Sequence, residues 1–90
     1  MNKTVSGARI TVKYRADLSN LIKIKSESID AVKITDVLRH IKTRYGSDAR
    51  KLAKSMLIVV NGQSILILKH FKTILKDGDE VSFLPICGGG

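Results

Sequence analysis

Cysteine occurs once in this chain, proline once and tryptophan not at all, and Phe and Tyr supply two residues each. One cysteine excludes an internal disulfide framework and any metal site built from a cysteine cluster. So few rings leave the core to aliphatic side chains. Long apolar runs are missing too: the longest, Met56 to Val60 and Ile65 to Leu68, fall far short of a membrane span. Residues 1–7 carry no apolar stretch of the kind a secretory signal needs, so the expected compartment is the cytoplasm, with no membrane partner. Acidic residues are scarce, 8 against 16 Lys and Arg, and the formal charge of +8 needs an account. What remains is ordinary. Ninety residues, 43% hydrophobic and 27% charged, make one soluble domain with a modest core rather than a disordered chain.

A basic protein of this size raises the question of nucleic acid or another polyanion. Here the cations are scattered from Lys23 to Lys76 and are not interleaved with aromatics, as a single-strand platform requires. Most are expected on solvated faces. A docking surface for an acidic partner protein ranks next, and nucleic acid third.

Periodicity supplies the elements. Ile10, Val12 and Tyr14 alternate with Arg9, Thr11 and Lys13, so Ala8 to Tyr14 is a half-buried strand. Ala16 to Asn20 is expected as a turn-like break. A second strand belongs within 22–33, centred near Ile29. Ile34, Val37, Leu38, Ile41 and Tyr45 share one helical face, with Thr35 as N-cap, Asp36 at the positive end and Gly46 past the last turn. Asp48 to Lys54 suggests a short helical turn with Leu52 and Ala53 inward. Met56 to Val60, continuously apolar, is expected as a central strand covered on both faces. Asn61-Gly62 signals a type I′ hairpin turn, with Gln63 to Leu68 returning as a strand. Lys69 to Leu75 is a turn or short 3₁₀ piece pinned by Phe71 and Ile74 or Leu75. Asp77-Gly78-Asp79 is a tight turn, and Glu80 to Leu84 is the last strand. The class is α+β: a mixed sheet of four to five strands with one main helix across one face.

The sequence closes on Pro85-Ile86-Cys87-Gly88-Gly89-Gly90. Glycine has no Cβ, so such a run lies flat and enters a narrow slot, and six residues extend at most about 20 Å. A frayed end is the commonest meaning of terminal glycines. A strand leading straight into the run, with Pro85 stiffening the exit, favours an arm presented to another protein. The division is then 1–84 for the domain and 85–90 for a flexible arm.

Asp77-Gly78-Asp79-Glu80-Val81, an apolar strand and a terminal Gly-Gly together resemble the ubiquitin-like sulfur carriers of β-grasp fold. These are the small subunit of molybdopterin synthase and the thiamine-pathway carrier. The resemblance runs over nearly the whole chain, and the stretch Gly46–Ser55 resembles the longer, molybdopterin branch. Three departures stand out: a third glycine, Gly88; Cys87 close to the tip; and the strong positive charge.

The resemblance implies a carrier subunit rather than an enzyme by itself, binding no cofactor of its own. An adenylating enzyme of the ubiquitin-activating type would use ATP to activate the Gly90 carboxylate. A sulfur donor such as a cysteine desulfurase or rhodanese would then convert it to a thiocarboxylate. The large subunit of molybdopterin synthase would receive the arm. Gly90 is the reacting residue on this reading, with Gly89 and Gly88 providing clearance. Cys87 is a small, partly buried or merely exposed thiol or, as a second reading, a resolving thiol whose reactivity would require an electropositive setting. Phe83 and Leu84 belong to the core or to a docking patch. His40 and His70 are expected to be isolated and solvated, and no metal constellation is evident. Conjugation to lysines of target proteins, thiamine or tRNA-thiolation pathways, and nucleic-acid binding are the alternatives.

Overall fold

The computed structural model describes residues 7–86. The chain forms β1 (Ala8–Tyr14), α1 (Ala16–Ile22), β2 (Ser26–Ala31), α2 (Ile34–Tyr45), α3 (Ser47–Lys54), β3 (Leu57–Val60), β4 (Gln63–Ser64) and β5 (Glu80–Leu84). Two 3₁₀ turns, Ile65–Ile67 and His70–Lys72, lie between β4 and β5. The strands order as β2-β1-β5-β3-β4. β1 and β5 are parallel, and every other pairing is antiparallel.

Strand alternation sends one set of side chains to a single face. Ile10, Val12 and Tyr14 of β1, Ile29 and Ala31 of β2, Ile58 and Val60 of β3, and Val81 and Phe83 of β5 are all buried. They meet the apolar stripes of the helices, Leu18 and Ile22, then Ile34, Val37, Leu38 and Ile41, then Ala49 and Ala53. Burying these chains supplies the main drive for folding, at roughly 25 cal/mol per Å² of apolar surface. The other face of the sheet carries Thr11, Lys13, Glu80 and Ser82 with half-buried Leu57, Val59 and Leu84.

Several expectations hold in detail. β1, α2 and β5 match the periodic stretches. Asn61 (φ 50°) and Gly62 (φ 86°) both take the left-handed region, as a type I′ turn requires. Gly78 (φ 86°) does the same in the turn before β5. Of the residues expected beneath the 69–75 turn, Leu75 is buried, whereas Ile74 and Phe71 are exposed.

Other expectations need correction. Ala16 to Asn20 is not a break but the start of α1. Asp17, Ser19 and Asn20 look like turn residues, yet Leu18 and Ile22 lie four apart and both bury. Lys23, at φ 69°, ends that helix with its N–H donating to Ser19 O at 2.8 Å. Gln63 to Leu68 is not one strand. Only two residues pair, because Ser64 Oγ accepts the Leu66 N–H at 3.1 Å and winds the chain into a 3₁₀ turn. Leu66 and Ile67 are left exposed at the sheet edge. β3 is not covered on both faces, since its burial alternates, with Ile58 and Val60 buried and Leu57 and Val59 half-buried. The residue preceding α2 is Lys33, not Thr35. Asp36 performs the capping, its Oδ2 accepting the N–H groups of Val32 and Lys33 at 2.9 and 3.1 Å.

Candidate functional site

The site is the end of the sheet from which the chain leaves β5. Because β1 and β5 run parallel in register, Tyr14 and Phe83 arrive there together, opposite one another. Their rings stack with centroids 5.9 Å apart, and neither is exposed. Phe83 is therefore core, not docking surface. Leu84, the next residue, turns to the other face, half-buried opposite Leu57. Pro85 and Ile86 then emerge into solvent, beside a cleft of about 230 Å³ lined by Ala16, Asp17, Leu52, Ser55 and Met56. Gly88, Gly89, Gly90 and Cys87 lie outside the described residues.

The far end of β5 is fixed as firmly. Asp77 Oδ1 accepts the Arg9 N–H at 2.7 Å, and Gly78 N donates to Arg9 O at 2.9 Å. Asn61 clasps the same turn from the β3–β4 hairpin. Its Nδ2 donates to Asp79 Oδ1 at 2.9 Å, while its Oδ1 accepts the Glu80 N–H at 2.9 Å. β5 is held at its start by side chains and at its finish by stacked rings, so the point where the chain leaves the sheet is set rigidly.

Beside the stacked rings stands a polar cluster that the sequence did not announce. Glu27 Oε2 is 2.6 Å from Tyr14 Oη, 3.0 Å from Tyr45 Oη and 3.0 Å from His40 Nε2. Both phenols donate to the carboxylate. Partial burial works to raise the Glu27 pKa, but the bonds from Tyr14, His40 and Tyr45 outweigh it and hold the carboxyl below its ordinary value. Burial, followed by the bond to Glu27, pushes the Tyr14 phenol far up, and Tyr45 is raised for the same reasons. His40 is thus a bonded member of a cluster rather than an isolated, solvated side chain. His70, by contrast, is exposed. One signal was available: Glu27 shares the strand phase of Ile29 and Ala31, which turns its carboxylate inward and obliges it to find donors. Among the described residues no group of three or more His, Cys, Asp or Glu is placed to hold a metal ion. No described helix is long and apolar enough to cross a membrane.

The arrangement can present a chain end, and among the described residues Tyr14, Glu27, Tyr45 and His40 are engaged with one another. Their geometry stiffens the sheet end.

Comparison with known proteins agrees with this architecture. The sequence model of the ThiS family matches residues 12–90. Among solved structures, small archaeal modifier protein 1 from Methanosarcina acetivorans is 27% identical, with a TM-score of 0.83 over 96% of this chain and 100% of that one. A putative molybdopterin converting factor subunit 1 from Pyrococcus furiosus is 24% identical, with a TM-score of 0.68 over 89% and 99% of the two chains. A complex of subunits 1 and 2 of molybdopterin-converting factor from Helicobacter pylori contains a chain 23% identical, with a TM-score of 0.66 over 91% and 99%. Comparison with curated proteins finds no sequence match. The mixed five-stranded sheet with its helices is the ubiquitin-like β-grasp, as the sequence resemblance implied.

Proposed function

The chain belongs to the ThiS family of ubiquitin-like sulfur carriers, and on that premise we propose that the Gly90 carboxylate is its reacting group. A carboxylate is a poor electrophile. An adenylating partner of the ubiquitin-activating type attaches AMP from ATP to Gly90 and releases pyrophosphate. A persulfide sulfur, brought by a cysteine desulfurase or rhodanese, displaces AMP to leave an acyl disulfide. A thiol then reduces the S–S bond and frees the thiocarboxylate. Gly88 and Gly89 present no side chain to the slot that receives them. Pro85 restricts the exit, and threading the arm removes much of the entropic barrier to transfer. ATP is the partner's substrate, and this chain is a carrier subunit with no catalytic group of its own.

The observation that carries this reading is the family match running through Gly90, six residues beyond Leu84, the last residue of a strand clamped at both ends. For the pathway, we favour sulfur donation in molybdopterin synthesis, with the large synthase subunit as acceptor. The likeness to molybdopterin converting factor subunits supports it, as does the stretch Gly46–Ser55, which folds as α3. A second reading, conjugation of Gly90 to lysines of target proteins, draws on the likeness to small archaeal modifier protein 1. Both readings keep the protein in the cytoplasm, where the adenylating partner would meet it.

Incubation with a cognate activating enzyme, ATP and a sulfur donor is expected to raise the intact mass by one oxygen-to-sulfur exchange. Removal of Gly90 abolishes the gain. No mass change with any cognate activating enzyme overturns the carrier reading. Higher-mass ladders in lysates, lost on deletion of Gly90, would favour the modifier role. Cys87→Ser leaves the exchange intact if that thiol is inert.

A further inference from the structure

The positive charge is not spread evenly once the chain is folded. α2 and α3 pack side by side, and between them and the 3₁₀ turn at His70–Lys72 lies a groove of about 320 Å³. Its lining carries Arg39, Lys42, Arg50 and Lys54, with no carboxylate among them. Arg39 is paired with Asp36 at 2.9 Å. Lys42, Arg50 and Lys54 have no ion-pair partner among the described residues. The helical repeat places Arg39 with Lys42 and Arg50 with Lys54 on facing rims.

An aromatic side chain is held at the same groove by an unusual backbone. His70, immediately before Phe71, takes φ 53°, a region non-glycine residues seldom enter. The turn is locked there by buried Thr73, whose Oγ1 donates to His70 O at 2.7 Å and accepts the Lys69 N–H at 3.0 Å. Thr35 Oγ1 ties Phe71 O to the first turn of α2 at 2.8 Å. Phe71 consequently stands 38% exposed, with Lys54 Nζ 5.7 Å from its ring centroid. A strained turn that holds an aromatic out of the core, beside uncompensated cations, is a built surface.

We propose that this groove docks an acidic segment of a partner protein carrying an apolar anchor residue. The carboxylates meet Lys42, Arg50 and Lys54, and the anchor seats on Phe71 against the aliphatic stems of the rims. Charge complementarity selects an anionic occupant. Phe71 is the one ring in the lining, whereas nucleic-acid platforms stack successive bases on several rings, and that favours protein over a nucleic-acid strand. No residue lining the groove lines the cleft beside Pro85. The docking therefore stands whether or not Gly90 carries sulfur, and its failure would leave the carrier reading untouched.

The test titrates the protein with a fluorescent synthetic peptide of about 15 residues, roughly four helical turns, rich in Glu with one Phe and one Leu. A labelled oligouridylate of about 12 nucleotides, of the order of one single-strand binding site, is titrated in parallel. Arg50→Glu with Lys54→Glu is expected to weaken peptide binding by about tenfold or more. Lys25→Glu with Lys76→Glu makes the same change in net charge elsewhere and is expected to cost less than about threefold. Phe71→Ala weakens binding by about threefold to tenfold without altering its salt dependence. Lys42→Gln, a milder change on exposed α2 surface, moves the affinity in the same direction and guards against misfolding of the double variant. Equal losses in the two charge-reversed proteins overturn the proposal, as does a Phe71→Ala protein that binds normally. Tighter binding of oligouridylate, lost in Arg50→Glu with Lys54→Glu, would assign the groove to nucleic acid instead.

Discussion

The two phenylalanines of this chain have opposite fates. Phe83 lies in β5 with no exposure, stacked on Tyr14 and paired across from Ile58. Phe71 stands in a 3₁₀ turn, more than a third exposed, over which a lysine leans. The difference is one of constraint. In a central strand the pleat decides which way every second side chain points, and neighbours on both sides seal it. Around Phe71 no ladder dictates direction, and hydrogen bonds from Thr35 and Thr73 choose the backbone instead. One ring therefore holds the exit of the chain from the sheet, and the other is left available to a partner.

That contrast can be tested by substitution. Phe83→Ala should be the most damaging, with a loss of about 3–5 kcal/mol in urea unfolding, because a rigid sheet cannot collapse around the void. A loss near that for Phe71→Ala would dissolve the distinction between the two sites. Glu27→Gln comes next, at about 1–2 kcal/mol near neutral pH, since charged acceptors make the stronger hydrogen bonds to Tyr14 and Tyr45. Its pH dependence has a definite sign. Glu27 in the folded protein titrates below its ordinary 4.5, so its stabilisation is complete above that pH and is lost as the pH falls through the folded value. The gap between the native protein and Glu27→Gln should accordingly close in acid, as followed by thermal melting across pH. Gly78→Ala is expected to cost about 1 kcal/mol, because φ 86° is strained for any residue with a Cβ. Nothing lies within 4 Å of the added atom, so the loss is conformational rather than steric. Phe71→Ala should be the mildest, at about 0.5 kcal/mol, the range of surface changes.

How legible the molecule was follows the same division. Ala8–Tyr14 and Glu80–Leu84 were visible to the residue, and α2 in its buried face though not at its first turn, because strict period-2 or 3.6 patterns leave one solution. α1 was hidden behind Asp17, Ser19 and Asn20, whose turn preference is overridden once Leu18 and Ile22 find the core. The fourth strand was overextended because four consecutive apolar residues carry no phase. The reading of Pro85 to Gly90 as an arm comes from glycine chemistry, and its last four residues lie outside the described residues. The Glu27 cluster was not recognisable, since its members are distant in the chain and meet only when β1, β2 and α2 pack.

Chain order and side-chain period were sufficient for the class and for β1 and β5, because each depends on local geometry repeated along a segment. The family came from the resemblance carried by Asp77–Val81 and the terminal glycines. The gathering of cations around Phe71, the tethering of His40 to Glu27 and the exposure of Leu66 and Ile67 arose only on folding. They depend on which distant segments become neighbours, and that is decided by how the sheet and three helices share a single apolar core.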